Sequence, residues 1–321
     1  MTCNIGLLAT GRIADDELAP ALTEANGAQL WSVLSRDEAR ARDFAVRHKA
    51  AAPTSAHTDF AQMLADPNLH AVLIATPDKL HVEQAIAAAR AGKHVLVEKP
   101  MATDREGGQA MIDTCHDAGV TLAVAYHLRW HMGHRALREQ CLAGAFGELR
   151  HMRLQWSFPA PNATNWRAHP DVGRWWGLAG VGTHCLDQLR WFMLPNCGEI
   201  VEMKSVISNQ VFSSQHDETA ILSFKFESGA TGEICTSVLF PGPRRMEVYG
   251  SKGYALCENT LGPGGDGRIE TQDGEFQYTP RNPYVGEIED FAQAIAQGRS
   301  PEVDGVEGLR NVDLLLKAVG A

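Results

Sequence analysis

The sequence has no surplus of basic residues: 29 lysines and arginines stand against 39 aspartates and glutamates, a formal charge of -10 over 321 residues. No basic run or stripe appears either, so a polyanionic backbone finds nothing to hold it and nucleic acid is excluded as a partner. Long apolar runs are also missing. The first twenty residues lack a basic flank and carry Asp15, Asp16 and Glu17, and neither a signal peptide nor a membrane span is expected. The seven cysteines, an odd number, contain no Cys-x-x-Cys pair. A disulfide framework is thereby excluded, and the set fits a reducing cytoplasm. What is present, 44% hydrophobic and 21% charged residues, is an ordinary globular composition with length for about two domains.

The N-terminal part reads as alternating strands and helices. Cys3 to Ala9 is an apolar run of strand length, Thr10-Gly11-Arg12-Ile13-Ala14 a tight turn, and an amphipathic stretch to Ala25 a helix. Gly11 lets the backbone approach a pyrophosphate, whose charge the amides of Arg12 and Ile13 at the positive helix end favour. Small Ala14 lets helix and strand pack closely. Ala9 stands where the first glycine of such a turn is expected. Alone, the pattern is equally that of an ordinary strand-to-helix turn.

Ala28 to Leu34 is a second strand, and Ser35-Arg36-Asp37 follows it where a dinucleotide fold meets the adenosine ribose. A carboxylate there binds the ribose hydroxyls and repels a 2′-phosphate; a hydroxyl followed by guanidinium groups does the reverse. Ser35, Arg36 and Arg40 therefore favour NADP. Asp37 keeps NAD open, its alternative role being to cap the next helix. Ala71 to Ala75 is a buried strand ending in Thr76-Pro77, and an alanine-rich helix runs from Lys79 to Ala91. Thr103 to Glu106 reads as a capping box, and Val120 to Ala125 closes the set. Strands alternating with helices predict a doubly wound parallel sheet.

The chemistry is concentrated at Val95-Leu96-Val97-Glu98-Lys99-Pro100. In an open parallel sheet, ligands settle beyond the carboxyl ends of strands, so Glu98 and Lys99 are carried into that crevice. A solvated ion pair closing a strand is the bland alternative. Past residue 125 the pattern changes to period two: Met152, Leu154, Trp156 and Phe158 alternate with polar residues, as do Leu222, Phe224 and Phe226. With residues 201–207, 231–240, 245–249 and 254–257 they predict a large, mainly antiparallel sheet in an α+β domain. Helices of this chain are expected to cover one face only, leaving the other for a subunit contact in a homodimer or homotetramer. His127, His131 and His134 have helical spacing that could suit zinc, but no cysteine or carboxylate completes a set, and no metal is expected.

The run Ile74-Ala75-Thr76-Pro77-Asp78-Lys79-Leu80-His81, with Ala91 to Pro100, closely resembles the Gfo/Idh/MocA oxidoreductases. The resemblance continues through Tyr126 and Arg129, Asn165-Trp166-Arg167, Gly182 to Asp187 and Glu287 to Phe291. It implies a dinucleotide-binding domain over residues 1–125 and a substrate-binding and oligomerisation domain over 126–321. It also implies hydride transfer between NADP or NAD and a hydroxyl or carbonyl carbon of a sugar, cyclitol or small polyol. Lys99 would orient the reacting oxygen and His184 would move its proton. Ala9 to Ile13, Thr76, Pro77, His81 and Glu98 would serve the cofactor, and Trp166 and Arg167 would lie near the nicotinamide. Tyr126, His127 and Trp176 would face substrate, Trp176 with Trp175 as an apolar wall or else as core. The aspartate that many relatives carry four residues before the histidine is missing, and Gly180 stands there. A cofactor-binding sensor without turnover is therefore the alternative, and glycoside cleavage through transient oxidation a weaker third.

Overall fold

The computed structural model describes residues 2–162, 165–169 and 171–320. The chain forms two compact units, one from Met1–Tyr126 with Tyr284–Asp313 and one from His127–Pro283 with Leu314–Ala321.

In the first unit β1 (Cys3–Leu8), α1 (Ala19–Glu24), β2 (Ala28–Leu34), α2 (Glu38–Arg47), β3 (Ala56–His57) and α3 (Phe60–Leu64) come first. They are followed by β4 (Ala71–Ile74), α4 (His81–Arg90), β5 (His94–Glu98), α5 (Arg105–Asp117) and β6 (Leu122–Ala125). The six strands form one sheet in the order β3-β2-β1-β4-β5-β6, every pair parallel. Every residue of β1, β4 and β6 is buried, as expected of strands covered by helices on both faces. The order reverses between β1 and β4, which puts the crevice of a doubly wound sheet at their carboxyl ends. Helix starts are set by aspartates: Asp37 accepts from the Arg40 amide, Asp59 from Ala61 and Asp104 from Gly107. For α5 the cap is thus Asp104, not Thr103, its carboxylate being the stronger acceptor.

The sequence reading draws one boundary, near residue 126. The first unit is discontinuous: Tyr284, Val285, Ile288 and Phe291 of a helix spanning Pro283–Gln297 pack with Ile5, Leu7, Leu22 and Phe44. The Val124 amide also donates to the carbonyl of Val303 at 3.0 Å.

The second unit contains α6 (Met132–Leu142), β7 (Leu149–Ser157), α7 (Thr183–Cys197), β8 (Ile200–Ser208), β9 (Thr219–Phe226), β10 (Thr231–Ser237), β11 (Arg245–Gly250), β12 (Tyr254–Glu258), β13 (Arg268–Thr271) and β14 (Gly274–Glu275). The late helices are α8 (Pro283–Gln297) and α9 (Gly305–Ala318). The sheet order is β14-β13-β12-β11-β7-β10-β9-β8, with β7 and β10 parallel and the other pairs antiparallel. In β9 Ala220, Leu222, Phe224 and Phe226 are buried while Ile221, Ser223 and Lys225 face outward. α7 covers the inner face so closely that a Cβ on Gly232 of β10 would meet Leu189 Cδ1 at 2.7 Å. The predicted strand 231–240 ends earlier, at Ser237, and β13 and β14 were not foreseen.

Candidate active site

The turn after β1 has the shape a dinucleotide turn needs. Ala9 adopts φ 97°, a region that glycine takes freely and an alanine takes only under strain. The glycine missing from the motif is therefore missing from a backbone that still has its conformation. Gly11 is exposed, and a Cβ there would meet nothing within 4 Å. The Asp15 amide donates to the Gly11 carbonyl at 3.0 Å. The amides of Arg12, Ile13 and Ala14 consequently have no helical carbonyl to bond. An open glycine backbone followed by such amides is the donor set a pyrophosphate requires, so the residues present fit a dinucleotide.

At the tip of β2 the Thr10 hydroxyl donates to the Ser35 hydroxyl at 3.3 Å, and Arg40 reaches the Thr10 carbonyl at 3.4 Å. Arg36 is exposed beside them. Asp37 is occupied as the α2 cap, accepting from the Arg40 amide at 3.0 Å. Hydroxyls and guanidinium groups, rather than that carboxylate, are thus left for whatever lies over Thr10.

β5 ends as its sequence suggests. Glu98 and Lys99 are both 8% exposed, and the Lys99 amide donates to Glu98 Oε2 at 3.2 Å. The Lys99–Pro100 bond is cis. Thr76 and Pro77, at the end of β4, are half-buried, and the Thr76 hydroxyl donates to Gln84 at 2.6 Å. His81 is fully buried, with its ring nitrogens on the carbonyls of Thr76 and Pro100. Tyr126 is buried at the end of this layer. One residue escaped sequence reasoning. Tyr284 is buried, and its phenol is pushed well above the ordinary range, first by burial and then by the charges of Glu98, Glu287 and Glu17, with Arg12 opposing. Its place on the apolar face of α8 marks it as core, which hides its acidic neighbours.

In the second unit His184 sits in the first turn of α7, directly after a π-helical turn spanning Leu178–Gly182. Its ring stacks on Trp156 of β7 at 5.6 Å and meets the His127 ring edge to face at 4.7 Å. His127 belongs to a 3-10 turn spanning His127–Trp130. That turn is fastened to α7 by a buried two-pronged pair: Arg129 Nη2 lies 2.7 Å and Nε 2.9 Å from the Asp187 carboxylate. Asp187 is thus the partner of Arg129. The start of the π-helical turn is fixed by Asp217, which accepts from the amides of Trp176 at 2.9 Å and Leu178 at 2.7 Å. Burial pushes this carboxyl up to about 7, the amides pulling the other way. Neither Asp217 nor Arg129 was singled out from sequence as holding the site, since each acts on residues distant in the chain.

Gly180 is half-buried, and a Cβ there would meet only Phe158, at 3.7 and 3.9 Å. Trp175 and Trp176 are buried, Trp176 in a cluster with Ala160, Ala168 and Val238. Its indole is therefore packed inside the unit, where the reading of these tryptophans as core locates it. Trp166 is 39% exposed, and the Arg167 guanidinium lies 4.0 Å above its ring. His127, His131 and His134 do not share one helix. His131 caps α6 by accepting the His134 amide, and the two rings stack at 4.2 Å. Among the described residues no group of three or more His, Cys, Asp or Glu is arranged to hold a metal ion.

Residues 3–126 match the model of an oxidoreductase family with an NAD-binding Rossmann fold, and residues 134–256 that of the GFO/IDH/MocA C-terminal domain. The D-xylose 1-dehydrogenase (NADP(+)) 2 of Haloferax volcanii is 29% identical, covering 98% of this chain and 96% of its own. The myo-inositol 2-dehydrogenase of Thermotoga maritima is 27% identical over 95% of this chain and 91% of its own. In fold, the aldose-aldose oxidoreductase of Caulobacter crescentus superposes with a TM-score of 0.92 at 23% identity, over 99% of this chain and 97% of that one. No helix among the described residues is long and apolar enough to cross a membrane. With these two models matching residues 3–126 and 134–256, the chain belongs to the Gfo/Idh/MocA family of oxidoreductases.

Proposed function

We propose that this protein is an NADP-preferring dehydrogenase or reductase, working in the cytoplasm on a hydroxyl or carbonyl carbon of a sugar, cyclitol or related small polyol. The observation that carries this reading is the end of β5: Glu98 and Lys99 close a doubly wound sheet, whose first turn offers an open glycine and helix-end amides. The bound dinucleotide supplies the hydride acceptor or donor. Lys99 holds and polarises the reacting oxygen, its ammonium favouring the negative charge that develops there. His184 transfers the oxygen's proton, the task to which an imidazole is suited near neutrality. Thr10, Ser35, Arg36 and Arg40 receive the 2′-phosphate, Asp37 being engaged as a cap. Trp166 with Arg167 attends the nicotinamide, and Tyr126 and His127 the substrate. Substrate class is supported by relatives named for D-xylose, 1,5-anhydro-D-fructose and myo-inositol.

Gly180 favours a second reading, a sensor that binds NADP or NAD without turnover. A panel of D-xylose, 1,5-anhydro-D-fructose, myo-inositol and other aldoses, with either cofactor and in both directions, separates the two by nicotinamide absorbance. Turnover is expected with at least one compound, falling roughly 10²–10⁴-fold in Lys99→Ala and in His184→Ala while cofactor affinity holds. Cofactor binding with no turnover across the panel overturns the enzyme reading. The outward sheet face, with Val201 56%, Val206 67% and Ile221 47% exposed, supports a homodimer or homotetramer. A monomeric mass by light scattering at micromolar concentration contradicts it.

A further inference from the structure

We propose that His81 is a positioning residue for Lys99 and that it works as an imidazolium, a buried cation joining the carboxyl ends of β4 and β5. Its service to Lys99 rests on the function proposed above; its charge does not. The ring lies in the first turn of α4 with no exposure. Nδ1 is 2.9 Å from the carbonyl oxygen of Pro100, and Nε2 is 2.9 Å from that of Thr76. Both oxygens can only accept. A neutral imidazole offers one N–H, so either tautomer would press a ring lone pair against a carbonyl lone pair at hydrogen-bond distance. The doubly protonated ring donates to both. Burial opposes the charge, and two short charge-assisted bonds favour it. The titratable groups on the segments that the ring joins are Asp78, the exposed Lys79 and Glu83 on its own side and Glu98 and Lys99 at the end of β5. Asp78, Glu98 and Lys99 are all buried; a carboxylate favours a cation between these segments and the Lys99 ammonium opposes it.

The place of this contact gives it a function. The backbone pairing of β4 with β5 ends at Ile74 opposite Val97. Beyond that rung the strands part, and the His81 ring forms the next link, between Thr76 and Pro100. Glu98 and Lys99 lie between the two links. The amine that touches the reacting oxygen is thus carried just past a strand paired with β6 as far as Glu98 and fastened to the ring at Pro100, and removing the ring takes away the second of these holds.

The test reads the protein spectroscopically and then kinetically. In protein labelled with ¹⁵N-histidine, the His81 signals are identified by their absence from His81→Gln. Both ring nitrogens are expected to be protonated at neutral pH, with loss of the proton only on the alkaline side, at least about one unit above an unperturbed histidine. A neutral tautomer at pH 7 overturns the charge. In His81→Gln the Lys99 side-chain resonance, assigned through Lys99→Arg, is expected to shift, and turnover to drop about tenfold or more with NADP affinity within about threefold. An unmoved Lys99 signal, unchanged turnover, or a loss confined to affinity overturns the positioning role. Should the wild type turn over no substrate, the oxidoreductase reading fails, while the two spectra still decide the role of His81. If the glutamine variant does not fold, His81→Lys, which keeps a cation, takes its place: a retained Lys99 resonance supports the proposal, and a displaced one overturns it.

Discussion

The two units fasten their backbone with buried ionisable side chains of different emphasis, donors on carbonyls standing out in one and carboxyls on amides in the other, although Glu98 accepts the Lys99 amide in the first unit and His127 and His131 face carbonyls in the second. In the parallel-sheet unit, the buried donors face carbonyls: Lys93 reaches the carbonyls of Asp66 and Leu69, each at 2.8 Å, and His81 those of Thr76 and Pro100. In the open-sheet unit, buried carboxylates receive donors. Asp217 takes two amides ahead of α7, Glu218 takes those of Val211, Phe212 and Ser214, and Asp187 takes Arg129. The difference follows from where the backbone runs out of partners. Turns beside strand ends leave C=O groups over, whereas segments entering helices leave N–H groups over.

The largest effect that can break this comparison is expected at Arg129. Arg129→Met strands a buried Asp187 and should cost about 3–5 kcal/mol in chemical unfolding, with much of the loss recovered in Arg129→Met/Asp187→Leu. A cost under about 1 kcal/mol would remove the carboxylate argument for that unit.

Asp217 gives a pH signature. Its folded value is raised from 3.8 to about 7, so between those limits the folded chain keeps a proton that the unfolded chain has released. Stability should therefore decline as pH rises through this window, by up to roughly 4 kcal/mol. The stability difference between wild type and Asp217→Asn, followed by denaturant midpoint against pH, should track that decline. A pH-independent difference contradicts it.

In the parallel-sheet unit, Ser35→Asp should swing the NADP-to-NAD affinity ratio about tenfold to a hundredfold towards NAD, as a carboxylate repels the 2′-phosphate. Asp37→Asn should leave the ratio nearly unchanged, since Asp37 is a helix cap. Equal shifts in both variants would assign the selectivity to Asp37. The smallest change is expected from Ala9→Gly, which relieves φ 97° and should stabilise the fold by about 1 kcal/mol, less the entropy glycine restores to the unfolded chain.

Much of the first unit was legible because its functional residues follow strand tips in contiguous runs. An apolar strand that stops at Glu98-Lys99-Pro100 announces both its burial and its exit. Not legible was the return of Tyr284 to Asp313 to the same core, since an amphipathic helix carries no label for the sheet it covers. In the second unit the alternation in β7 and β9 showed strands. β13 and β14 are too short, at four and two residues, for a period of two to stand out. The His127–His184 contact was illegible for another reason: it is set by the Arg129–Asp187 pair, whose members sit on distant segments and show no shared spacing.

Gly180 carries a consequence for substitution at its own position. Because a Cβ there would touch only the Phe158 ring, at 3.7 and 3.9 Å, nothing in the packing demands the bare backbone. Every glycine codon lies one base from an aspartate or glutamate codon, so an acidic residue here is a single transition away in the gene, and its Cβ would enter at ordinary contact distance. A lack of room for a first side-chain carbon therefore does not account for the glycine at this position.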